Sequence, residues 1–307
     1  MSVPFITFDE GETHLDWLGL TEALAAGHAL PKAEITDSFL YRGDDTVLSR
    51  AAWIDGLGMA VKTATIFPGN AATDTSTING GVNLYDDGDG TLAALVDFHL
   101  VTKWKTAGDS LLGALRLAPE GASKILIVGA GTVAASLIDA FGAGFPGAQI
   151  TLWNRSADKA QALAQTRPGV TVADDLPEAV AQGDIIVTAT MSSTPVIMGD
   201  WLRPGQHLNL IGAYRPDMRE VDDTALTRAT LYADSYDTTL DHIGEFKDPL
   251  ARGVIARSDV RADYYALDQF QRGTADEITV FKNGGGAHLD LMTADFILRR
   301  WQAAQED

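Results

Sequence analysis

No cysteine occurs among the 307 residues, which excludes disulfides, thiolate metal sites and cysteine nucleophiles together. That absence fits a reducing compartment, and a cytoplasmic protein is expected. Positive charge is scarce: 23 Lys and Arg face 42 Asp and Glu, a formal charge of −19 at pH 7. Such a field repels phosphate backbones and anionic lipid headgroups, so neither nucleic acid nor a membrane surface is an expected partner. Long apolar runs are missing too. No stretch reaches membrane-spanning length, and the opening residues lack the basic region and apolar run of a secretory leader. The six histidines, His14, His28, His99, His207, His242 and His288, fall at no metal-ligand spacing, and no metal site is expected. Asp109-Ser110 lies in a helical stretch without the glycine elbow of a hydrolase nucleophile.

What is present is 46% hydrophobic residues, enough to fill the core of one large domain or two ordinary ones. Over residues 1–118 the pattern predicts a helix around 14–28, strands at 46–53, 59–67, 82–85 and 91–97, and a helix over 102–118. From Lys124 the texture becomes alternation: strands at 124–128, 149–153, 170–172 and 184–189, with helices starting at Thr132 and Ala157 and a third over 176–182. Strands separated by helices predict an α/β fold with a parallel, doubly wound sheet. Pro119-Glu120-Gly121 interrupts the chain between the two textures, which gives domains at 1–118 and 119–286. Further strands are expected at 207–211 and 231–234, and the polar stretch 237–263 has no assignment. A helix over 287–301 follows the glycines 284–286 and is expected to complete the N-terminal domain.

The apolar run Lys124–Val128 suits a strand buried on both faces and leads directly into Gly129-Ala130-Gly131-Thr132-Val133-Ala134, a match to G-x-G-x-x-A. Gly129 permits a tight turn, Gly131 lets the backbone approach a pyrophosphate, and Ala134 lets the helix pack closely on the strand. The helix N-terminus adds free N–H groups facing the anion. An ordinary strand-to-helix turn is the plain alternative. The second strand ends at Asn154-Arg155-Ser156, where an acid would serve the ribose hydroxyls of NAD. There is no acid. Arg155 can pair with a 2′-phosphate, and Asn154 and Ser156 can donate hydrogen bonds to it, so NADP(H) is favoured over NAD(H). A solvated arginine at a strand end is the other reading.

Several separated motifs go further: Val61-Lys62 with Phe67-Pro68-Gly69-Asn70, Thr102-Lys103-Trp104-Lys105-Thr106-Ala107, the Gly129 loop with Asn154-Arg155-Ser156, Ile211-Gly212 with Pro216-Asp217-Met218-Arg219-Glu220, and Phe281-Lys282 with Gly285-Gly286-Ala287 and Asp290. In their order and spacing the chain resembles the ornithine cyclodeaminase/mu-crystallin family over nearly its whole length. The resemblance implies a Rossmann-type domain beside an α+β substrate and dimerisation domain, 1–118 completed by 287–307, in a homodimer. It implies hydride transfer between a nicotinamide and the α-carbon of an amino or imino acid, so a small carboxylate-bearing imine or amino acid is the expected partner.

The resemblance also suggests site residues. Lys62 matches the family's active-site lysine, able to hold a carboxylate or deliver a proton, and Arg42 resembles an arginine that contacts the substrate carboxylate. Lys105 departs from the pattern, which usually has arginine there; the charge stays but the two-pronged fork is lost. Where cyclodeaminases follow Ile-Gly with an acid, this chain has Tyr214, which is no carboxylate at neutral pH. Imine reduction therefore ranks above the cyclodeaminase reaction, above an amino-acid dehydrogenase working in reverse, and above a non-catalytic NADP(H)-binding protein. Asp217 and Glu220 read as a cap and first turn of the helix that follows. Asp290 reads either as an acid at the site or as ordinary helix-start electrostatics.

Overall fold

The structure, a computed structural model, describes residues 3–73 and 75–306. The chain divides into two compact units, Met1–Lys105 with Gly286–Asp307, and Thr106–Gly285. The division falls inside a helix, upstream of the Pro119-Glu120-Gly121 turn that marks the change of texture.

The first unit begins with β1 (Phe5–Ile6), α1 (Phe8–Glu12) and α2 (Trp17–His28). Five strands follow, β2 (Glu34–Arg42), β3 (Asp45–Ile54), β4 (Gly58–Ile66), β5 (Ile78–Tyr85) and β6 (Leu92–Asp97). They form one sheet in the order β1-β6-β5-β4-β3-β2, antiparallel except for β1 beside β6. Strand β2 is absent from the sequence-based reading. It is an edge strand with nearly every residue exposed, so no apolar alternation marks it. On β4 the period of two is clear: Gly58, Ala60, Lys62 and Ala64 all lie on the buried face. The helix after β6, α3 (Phe98–Leu117), starts four residues ahead of the expected one. Asp97 explains the early start, since its side chain accepts from the Leu100 amide at 2.8 Å.

The second unit alternates as predicted: β7 (Lys124–Val128), α4 (Thr132–Gly144), β8 (Gln149–Trp153), α5 (Ala157–Gln165), β9 (Thr171–Val172), α6 (Leu176–Gln182), β10 (Ile185–Thr188) and β11 (His207–Leu210). Then come α7 (Asp223–Thr227), β12 (Thr230–Ala233), α8 (Tyr236–Thr239), α9 (Gly244–Ala251), β13 (Val260–Ala262) and β14 (Thr279–Lys282). The unassigned stretch thus holds two short helices and a three-residue strand, too short to carry a periodic signal. All eight strands are parallel, in the order β13-β12-β14-β11-β10-β7-β8-β9. Ile125, Leu126, Ile127 and Val128 are all buried, as a strand covered on both faces requires. The sheet runs one way from β7 through β8 and the other way through β10, so β7 and β10 flank the switch point where such sheets bind ligands.

The last helix, α10 (Ala287–Glu306), belongs to the first unit. It lies on the buried face of the sheet against β3 and β4, and it also packs on α2. Gly27 allows the close approach of α2, because a Cβ there would stand 2.7 Å from Met292 Cγ. Among the described residues no helix is long and apolar enough to cross a membrane.

Candidate active site

In the first unit, strand register decides which side chains meet. Arg50 on β3 stands directly opposite Lys62 on β4, and Asp37 on β2 stands opposite Arg50. All three therefore share one face, the face that α10 covers. Asp290, in the first turn of α10, enters this cluster. Lys62 Nζ and Lys105 Nζ each lie 2.9 Å from Asp290 Oδ1, and Arg50 Nη1 is 3.8 Å from Oδ2. Lys62 also donates to Thr102 Oγ1 at 2.7 Å and sits 4.5 Å from the centre of the Phe98 ring. Thr102 and Lys105 are three apart on α3 and so share a helix face. Arg50 is clamped by Asp37 through Nε at 3.2 Å and Nη2 at 2.7 Å.

Burial pushes the Lys62 ammonium down to about 8, against the pull of Asp290 and with help from the Lys105 charge. For Asp290 burial works upward, but Lys105, Lys62 and Arg50 together hold its carboxyl well below the usual range. Three cations thus surround one buried carboxylate, with Asp37 at the edge. Next to the cluster, His288 packs edge-on against His28 with ring centres 5.2 Å apart. Burial lowers both, His28 to about 4, so the pair is neutral at physiological pH. Among the described residues no group of His, Cys, Asp and Glu is placed to hold a metal.

Arg42 is not part of this cluster. Inward-facing residues on β2 are the odd-numbered ones, because Asp37 pairs with Arg50, so Arg42 falls on the opposite face. There it pairs with Asp45 at 2.8 Å with 80% of its side chain exposed. The arginine brought to Lys62 and Lys105 is Arg50, which sequence reasoning passed over because only the register of three strands reveals its face.

In the second unit, Gly129 has φ +130°, and a Cβ on it would lie 2.7 Å from the carbonyl oxygen of Ala189. Glycine is required there. Gly131 is the N-cap of α4 and has no side chain to cap it; a Cβ on it would meet nothing within 4 Å. Packing therefore does not demand this second glycine, and its missing side chain leaves the amides of Thr132 and Val133 open to close approach by a ligand, with Ala130 forming the bend between the two glycines. Ala134 is fully buried where α4 meets the sheet. These residues fit a dinucleotide pyrophosphate. Past the end of β8, Arg155 and Ser156 are exposed, Asn154 Nδ2 donates to the Ser156 carbonyl at 2.9 Å, and none of the described residues pairs with Arg155.

Tyr214 is more than half exposed on the loop after β11. Asp217 pairs with Arg215 at 2.8 Å on the surface. The expected cap role belongs to neither Asp217 nor Glu220: Asp222 caps α7, accepting from Ala225 N at 2.9 Å. Glu220 is completely buried elsewhere. Ser110 is buried as well, its hydroxyl shared between the Thr106 carbonyl one turn back in α3 and Asn283 Oδ1 just past β14.

The family model for the ornithine cyclodeaminase/mu-crystallin family matches residues 51–305. The chain is 48% identical over 303 residues to the Δ1-pyrroline-2-carboxylate reductase of Paracoccus denitrificans (strain Pd 1222), covering 96% of each. It is 31% identical over 249 residues to the ketimine reductase mu-crystallin of Mus musculus, covering 80% of this chain and 77% of that one. In fold it matches the Δ1-pyrroline-2-carboxylate reductase of Thermococcus litoralis, solved with NADH and L-proline, with a TM-score of 0.90 at 21% identity over 99% of this chain and 98% of that one.

Proposed function

The chain belongs to the ornithine cyclodeaminase/mu-crystallin family, and on that footing we propose that it reduces the C=N bond of a small 2-imino acid with a nicotinamide cofactor. A cyclic imine of the Δ1-pyrroline-2-carboxylate type is the first substrate, as in the 48% identical relative, and a linear imino acid is the second. The observation that carries this reading is the Asp290 cluster. In a chain of formal charge −19, the cations Arg50, Lys62 and Lys105 are gathered around the one buried carboxylate of Asp290.

Arg50 and Lys105 attract the substrate carboxylate by charge, with the Nε–Nη2 edge of the guanidinium held in place by Asp37. Asp290 keeps the two ammonium groups in place despite their mutual repulsion. Lys62, with its proton affinity brought down to about 8, gives a proton to the imine nitrogen as that nitrogen becomes an amine. When bound, the reduced nicotinamide supplies the hydride that the imine carbon accepts. Residues 129–133 would hold its pyrophosphate, and Asn154, Arg155 and Ser156 a 2′-phosphate, so NADPH is the preferred donor. The outer face of the six-stranded sheet carries exposed Phe5, Leu95 and Trp53, an apolar surface suited to a second copy of the chain.

The test is the decay of nicotinamide absorbance, with NADPH and with NADH, against cyclic imines and against 2-oxo acids mixed with ammonia or methylamine. Consumption with a cyclic imine is expected. Tight cofactor binding without turnover on any of these, or ammonia release from ornithine without net cofactor change, would overturn the reading.

A further inference from the structure

Two fully buried glutamates, Glu220 and Glu245, lie in the second unit outside the glycine loop. A carboxylate taken out of water is strongly destabilising unless its oxygens are satisfied, and the partners of Glu220 are specific. Its Oε1 accepts from the amide and the hydroxyl of Thr190, both at 2.8 Å. Its Oε2 accepts from the amides of Gly212 at 2.7 Å and Ala213 at 3.2 Å. Thr190 lies two residues past the end of β10, and Gly212 two residues past the end of β11. One side chain therefore joins the loops that leave the C-terminal ends of two neighbouring parallel strands.

The loops touch as well. A Cβ on Gly212 would fall 1.8 Å from the Thr190 carbonyl oxygen, so the backbones are in direct contact. Ala189, beside Thr190, presents the carbonyl against which Gly129 packs. Glu245 fixes the segment that carries Glu220, accepting from the amides of Glu220 at 2.7 Å and Val221 at 3.1 Å. The Glu220 carbonyl in turn accepts from Val196 and Ile197, which closes the loop begun at Ala189.

A doubly wound sheet binds a dinucleotide in two halves across its switch point. The β7–β8 side, with the glycine loop and Arg155, takes the adenosine half, which leaves the ends of β10 and β11 for the nicotinamide half. We propose that Glu220 is a positioning residue for the nicotinamide half of the cofactor, its carboxylate setting the two loops that receive it. The proposal rests on the dinucleotide reading given above.

Glu220→Gln is the decisive variant. An amide keeps the shape but has only one acceptor oxygen, so in either orientation its NH2 group faces the donors of one loop. Calorimetric titration with NADPH and with adenosine 2′,5′-bisphosphate, which lacks the whole nicotinamide half, is the measurement, alongside hydrogen exchange at Thr190, Gly212 and Ala213. NADPH affinity is expected to fall about tenfold or more, as loss of a charge-assisted hydrogen bond implies. The fragment should stay within about twofold, and exchange at the three amides should accelerate. Equal weakening of both ligands, or no change in either, overturns the proposal. Should Glu220→Gln fail to fold, Thr190→Val, which removes only the hydroxyl donor, is judged by the same split between the two ligands. If the unaltered protein binds neither ligand, the dinucleotide reading itself fails, which is a separate result.

Discussion

Arg50 and Lys62 face each other across the β3–β4 pair, and both reach the carboxylate of Asp290. The pairing places the Arg50 guanidinium beside Lys105, both turned toward the same carboxylate. Arg50→Gln should therefore lower kcat/KM for the imine by about ten- to a hundredfold, the range for one charged hydrogen bond, mainly through KM. Arg42→Gln, on the outer face, should leave it unchanged. Steady-state kinetics at saturating NADPH checks both, and the opposite ranking would return Arg42 to the site.

Lys62 as proton donor predicts a particular pH response. Burial brings its ammonium down to about 8, so it is charged below that pH and neutral above it. Reduction that needs the proton should show kcat/KM level on the acid side and falling about tenfold per pH unit beyond the break. Lys62→Arg keeps its charge throughout and should lose the break while running slower. A pH profile with the same break in both proteins would assign the titration to another group.

How much of this was open to inspection in the residues varies with the range of the interaction involved. The glycine loop and the alternation that follows are local patterns, and the parallel sheet followed from them. Strand β2 left no such mark because both its faces are largely exposed, and without its register Arg42 could not be assigned a side. Arg50 was missed for the same reason: one residue of slip would have turned it outward. Glu220 carried the right residue type for a helix start, but its true partners lie 8 and 30 residues away, a distance over which no local rule operates.

Arg155 tests the choice of cofactor. It is exposed beside Asn154 and Ser156, with no acid in the segment to favour free ribose hydroxyls. Arg155→Ala should weaken NADPH binding by about tenfold, in line with loss of a charged contact to phosphate, and leave NADH within about twofold. Binding titrations with each nucleotide decide it, and equal affinities unaffected by the substitution would remove the preference.

The outer sheet face tests assembly. Leu95 and Phe5 are paired neighbours there, and a charge placed between apolar surfaces is strongly unfavourable in an interface. Leu95→Asp should convert a dimer into a monomer in sedimentation velocity while leaving the far-ultraviolet circular dichroism unchanged. A monomeric unaltered protein would contradict the assignment.

The central claim is that a hydride from the nicotinamide ends on the imine carbon of a 2-imino acid. Mass spectrometry of the product formed from Δ1-pyrroline-2-carboxylate and NADPH deuterated at the transferable position of the nicotinamide ring tests it most directly. The account predicts proline carrying one deuterium at its α-carbon, formed in step with oxidised cofactor. Unlabelled proline, or no proline while the cofactor is bound, would contradict it.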